Sequence, residues 1–185
     1  MRTVFLQPVG PVSQPVIAAI GESIMEEYDA GVEALPEMAV PDGAYDAGRS
    51  QYSSSVILQR LAANVPMDAF RLFGITKHDL FIPMLSFVFG QAQLNGRVAL
   101  LSLARLRQEF YGLPGDVAVL TERVTKETLH ELGHTFGLLH CLDKECPMSL
   151  STTVQLLDNK RSAYCAGCSA LLRDALVPGR LENDR

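Results

Sequence analysis

The segment HELGHTFGLLHC, His130 to Cys141, limits what this chain can fold into more than any other. It gathers three of the four histidines with a glutamate, a glycine and a cysteine. At 100° per residue, Leu129, Leu132 and Phe136 fall on one helix face and His130 and His134 on another. An apolar stripe thus anchors a rigid support for two imidazoles. Glu131 lies beside them, near enough to touch a water on a bound metal without ligating it. A continued helix would carry His140 about 15 Å along the axis from His130, too far to share one ion. Gly137 removes that difficulty, because glycine takes the left-handed conformation that ends a helix and turns the chain back. HExxHxxGxxH therefore describes a helix, a turn and a third ligand. Three histidines leave a fourth position on zinc for water, which separates a catalytic site from a closed structural one. The five fixed positions recur by accident in on the order of one such chain in 10⁵, so coincidence is set aside.

The thiol that ends the segment belongs to a second set. Cys141, Cys146, Cys165 and Cys168 are all the cysteines of the chain, spaced C-x4-C and C-x2-C. Two short clips of thiolates suit a tetrahedral structural zinc. Disulfides and redox chemistry at CAGC are the alternatives. A reducing compartment argues against the first, and surroundings unlike a thioredoxin loop argue against the second. Because His140 and Cys141 are adjacent, the second zinc would pin the backbone that presents the third histidine to the first.

Length and charge exclude other classes. At 185 residues the chain fits one domain with a core that needs no disulfide staples. The net charge of −5 argues against a nucleic-acid surface, which needs clustered Lys and Arg. No basic run exceeds the pair Lys160-Arg161, so polybasic membrane binding is not expected. The first residues lack the uninterrupted apolar stretch of a signal peptide, and nothing later is apolar enough to span a bilayer. The expected setting is the cytoplasm, the expected state a monomer.

Along the chain, RTVFLQPVG reads as a first strand ended by Pro and Gly, and VIAAIGESIMEEY as a helix. VEALPEMAV suits a short second strand before the turn residues PDG. Residues 50–64 read as a second helix capped near Ser50. GITKHDLFIPML reads as one buried strand, and FVFGQAQLNGRVALLSLARL as a hairpin turning at Asn95-Gly96. Alternating strand and helix signals predict an α/β sheet with at least one antiparallel member.

Met148, in CPMSL, follows Cys146 by two residues and His140 by eight. Methionine is ordinarily core filler, but this position also suits a turn beneath a catalytic metal. Here the resemblance becomes specific: HELGHTFGLLHCLDKECPMSL and YCAGC resemble the archaemetzincins, zinc peptidases of the metzincin clan. FVFGQA and SLARL are also similar. The resemblance implies an α+β zincin-like fold with a twisted mixed sheet, an antiparallel edge strand, an active-site helix and a small zinc-stapled C-terminal subdomain. The division would fall at about 1–137 and 138–185. It also implies catalytic zinc on His130, His134 and His140, with Glu131 as general base. Structural zinc on the four cysteines and a Met-turn at Met148 complete the carry-over, giving two zinc ions per chain.

The chemistry expected is hydrolysis of peptide bonds, on short or unfolded peptides lying along a strand edge within residues 87–104. No cysteine is spare for a cysteine-switch form of latency. Tyr111 and Tyr164 are candidates for an added oxyanion donor, although each also reads as a half-buried structural tyrosine. His78 reads as a strand-end histidine outside the site. The rival reading is a catalytically weak or inactive zinc protein with a structural or regulatory role. Glu131, dispensable for structure, counts against it. A zinc-ribbon-like nucleic-acid module is disfavoured by the acidic balance.

Overall fold

The computed structural model describes residues 2–177. Alternating side chains in the first strand, β1 (Thr3–Val9), set the layers. Val4 and Leu6 face one core while Phe5 faces another, and all three are buried. A strand with both faces buried needs helices on both sides. Helix α1 (Gln14–Tyr28) covers one face and leads into β2 (Gly31–Ala34), which pairs parallel to β1.

A short excursion follows, β3 (Tyr45–Asp46) against β4 (Gln51–Ser53), before α2 (Ser54–Ala62) packs on the opposite face. The expected helix over residues 50–64 therefore starts later. Ser53 caps it by accepting from Val56 N, while Tyr52 is drawn into a strand, its ring 4.2 Å from that of His78. Next come β5 (Arg71–Thr76) and β6 (Leu80–Phe81). The single strand expected over 74–85 is thus two strands in two sheets, since β5 pairs with β1 and β6 with β4.

The hairpin forms as expected, β7 (Gly90–Ala92) antiparallel to β8 (Val98–Ser102). Its loop is longer than a two-residue turn, closing with Gln93 N donating to Val98 O. The main sheet runs β2-β1-β5-β8-β7, four parallel strands with β7 antiparallel at the edge.

Helix α3 (Val117–Thr135) packs beside α1 on the same face as the larger core. Asp116 caps its start, accepting from Ala118 N and Val119 N. The short α4 (Val154–Asp158) and α5 (Ala166–Ala175) complete the described chain, and residues 178–185 of the expected C-terminal subdomain lie outside it. Among the described residues, no helix is long and apolar enough to cross a membrane.

Candidate active site

Helix α3 carries the first two histidines on a frame held from below. Leu129, Leu132 and Phe136 are buried as their spacing demands. The helix ends where Gly137 takes φ +86°, with Gly137 N donating to His134 O and Leu138 N to Gly133 O. These paired bonds are those of a glycine-terminated helix, and they reverse the chain toward His140. A side chain at Gly137 would also run into the Asn95 amide. The hairpin tip presses on this turn, since Asn95 N donates to His134 O at 3.1 Å.

The reversal brings His130, His134 and His140 together, one nitrogen from each lying within 4.8 Å of the others. Two backbone carbonyls settle the tautomers. His130 Nδ1 donates to Pro147 O at 2.8 Å and His134 Nδ1 to Leu138 O at 2.7 Å. Both Nε2 atoms therefore present lone pairs, and they face one another at 3.2 Å. Two lone pairs that close repel unless a cation sits between them. Tetrahedral zinc, with Zn–N near 2.0–2.1 Å, sets its ligand nitrogens about 3.3–3.4 Å apart. The donor set fits zinc. Burial lowers the pKa of all three rings, keeping them in the neutral, ligating form.

Glu131 is buried, its pKa pushed well above the usual carboxylate range by burial and then by Glu127. A Cβ on Gly90 would stand 2.6 Å from Glu131 Oε1 and 2.6 Å from Leu100 O. Only glycine lets the edge strand come this close to the carboxylate. Sequence reasoning missed Gly90, although a glycine inside a strand is the signal for such an approach.

The four cysteines form a second cluster, their sulfurs within 4.8 Å of one another. All are free thiols, and Cys141 and Cys165 Sγ are 3.8 Å apart. A disulfide would require about 2.05 Å, whereas ligands on zinc at ~2.3 Å stand about 3.8 Å apart. These residues also fit zinc. Cys165 caps α5 by accepting from Cys168 N, and its pKa is lowered to about 7. Burial pushes the Cys146 thiol up. A metal ion would convert both to thiolates.

Cys141 N donates to Met148 O at 2.9 Å, which ties the two clusters together. Met148 is fully buried against α3, with its Sδ 2.5 Å from where a Cβ on Gly133 would lie. Lys160, one half of the basic pair, is buried. Its Nζ donates at 2.9 Å to Pro147 O, the acceptor that also orients His130. Nothing in the sequence marked that role.

The remaining candidates lie elsewhere. Tyr164 is buried behind α3 and donates to Leu129 O, while the Tyr28 hydroxyl lies 2.5 Å from the Tyr164 hydroxyl and donates to it. Tyr111 bonds Arg105 O. Neither lines the cleft of about 460 Å³ that runs between the strand segment 85–92, α3 and residues 150–152. His78 stacks on Tyr52, apart from the three-histidine cluster.

The sequence matches the model of peptidase family M54 over residues 25–174. It is 41% identical over 169 residues to an archaemetzincin from Methanocaldococcus jannaschii, covering 91% of this chain and 92% of that protein. The crystal structure of an archaemetzincin from Methanopyrus kandleri superimposes with a TM-score of 0.83, at 35% identity and 95% coverage of each chain. A second archaemetzincin structure, from Archaeoglobus fulgidus and complexed with malonate, gives 0.79 at 33% identity, covering 91% of this chain and 99% of that one.

Proposed function

The chain belongs to peptidase family M54 with the archaemetzincins and is a zinc metallopeptidase, and from that premise we propose that Glu131 is its general base. In this reading His130, His134 and His140 hold a catalytic zinc, and the four cysteines hold a second, structural one. Bound zinc supplies the Lewis acidity that makes water nucleophilic near neutral pH and polarises a carbonyl. The chain's own residues do the rest. Glu131 takes the proton of the attacking water and returns it to the leaving amine.

The edge strand β7 supplies positioning. Its outer side has no strand partner among the described residues, and Gly90 brings its backbone against Glu131. An extended peptide pairing there lays a scissile bond beside the carboxylate. Met148, packed beneath α3 at Gly133, acts as the turn that supports the histidines. Gly137 marks the division between an upper and a lower subdomain.

The observation that carries this reading is the pair of opposed Nε2 lone pairs at 3.2 Å, with Glu131 on the next residue of the same helix. Glu131→Gln tests it. The variant is expected to retain zinc and its melting temperature while hydrolysing peptides about 10²–10⁴-fold more slowly. Hydrolysis at the wild-type rate would rule out the general-base role.

A further inference from the structure

Beyond the proton-transfer carboxylate, the cleft contains a second one that the reaction does not use. Glu127 sits one turn before Glu131 on the same face of α3 and lines the cleft wall. It is only 3% exposed, and its Oε1 has no hydrogen-bond partner among the described residues. Lys160 Nζ lies 3.7 Å from that oxygen, outside hydrogen-bond reach, and donates to Pro147 O instead. The charge is balanced at a distance, but its accepting capacity is left free. An unmet buried acceptor is costly, and a donor from a ligand would recover that cost.

Apolar side chains line part of the same cleft. Phe87 and Phe89 stand on the strand side with their rings 5.2 Å apart, and Leu150 stands opposite. Apolar lining with a buried carboxylate in the wall suits a side chain that has a long aliphatic stem and a donating, cationic head. Glu127 also lies about 6 Å along the helix axis from Glu131, so a side chain reaching it belongs to a residue beside the scissile bond.

We propose that Glu127 is the acidic wall of a side-chain subsite that selects lysine or arginine beside the scissile bond. The proposal rests on the peptidase reading above, which places the peptide along β7.

Two measurements on the zinc-loaded full chain test it. In the first, peptides identical except for lysine, arginine, norleucine or glutamate at the residues flanking one bond are digested and read by mass spectrometry. Lysine and arginine are expected to exceed norleucine in kcat/KM by about tenfold or more, as a charge-assisted bond provides. In Glu127→Gln the ratio should fall close to one. The second measures calorimetric binding of the lysine and norleucine peptides to the Glu131→Gln protein, where the same ratio is expected without turnover. If the wild type cleaves nothing, the peptidase reading fails while the binding ratio still decides this one. Equal binding of the two peptides, or a lysine preference that survives Glu127→Gln, would overturn the proposal. Should Glu127→Gln not fold, Glu127→Asp withdraws the charge by one methylene. The preference should then move from lysine toward the longer arginine, and an unmoved preference counts against Glu127.

Discussion

Two glycines, at 90 and 137, show how much of the site depends on missing side chains. Gly137 combines φ +86° with the approach of the Asn95 amide, so it is constrained both in backbone and in space. Gly137→Ala is expected to destabilise the protein by about 1–3 kcal/mol and to weaken metal retention, because the turn presents His140. Chemical denaturation with metal analysis checks both effects. Full zinc content at unchanged stability would show that the turn tolerates a Cβ. Gly90 is different. Its φ is ordinary, and the restriction is the 2.6 Å approach to Glu131 and to Leu100 O. Gly90→Ala should therefore push the edge strand off the carboxylate, with activity falling at least tenfold while zinc stays bound. An equal loss of zinc and activity would place the damage at the metal instead. Lys160 shows the reverse, since a charged side chain lies buried and donates to the carbonyl that orients His130.

At the scale of elements, the segment from His140 to Cys168 acts as a clip between α3 and α5. Arg161 secures its outer side, donating to Asp143 at 2.6 Å, and Arg123 bonds Asp158 through two contacts of 2.7 Å that join α3 to α4. The four cysteines close the clip, so a metal held by them should contribute to folding directly. Cys165→Ser and Cys168→Ser are expected to lower the melting temperature well below that of Glu131→Gln, whose side chain holds no element in place. Equal losses for all three variants would contradict this separation. The element boundaries that sequence reading misplaced share one cause. Residues 51–53 and 80–81 are strands because they pair with each other across the small sheet, a contact between distant parts of the chain. Propensity within a short window does not contain that partner.

For the whole molecule, two ligand sets that share no residue predict two zinc ions, one more easily removed by chelator because its fourth position is open. Metal analysis of the fully loaded protein checks this, and one ion per chain with paired cysteines would sink it. A substrate that must lie extended along β7 and reach a buried carboxylate has to leave its own fold first. Casein and short peptides are therefore expected to be cleaved, and a folded globular protein cleaved slowly or not at all. Rapid digestion of the folded protein would show that the cleft is not the filter.

What the sequence determined by itself was which residues gather: the three histidines with Glu131 next to one of them, the glycine turn and the two cysteine clips. These are local, since helical periodicity places residues three and four apart on one face whatever surrounds them. The hairpin was legible for the same reason, although its longer loop was not, because Asn95 is held by a carbonyl of α3. Tertiary structure alone decided that Pro147 O orients His130, that Lys160 shares that carbonyl, and that Gly90 lies against Glu131. The same holds for Glu127, whose helical position was readable but whose oxygen without a hydrogen bond was not. Those facts depend on which distant segments share a buried space. Close packing settles that only when the whole chain has folded.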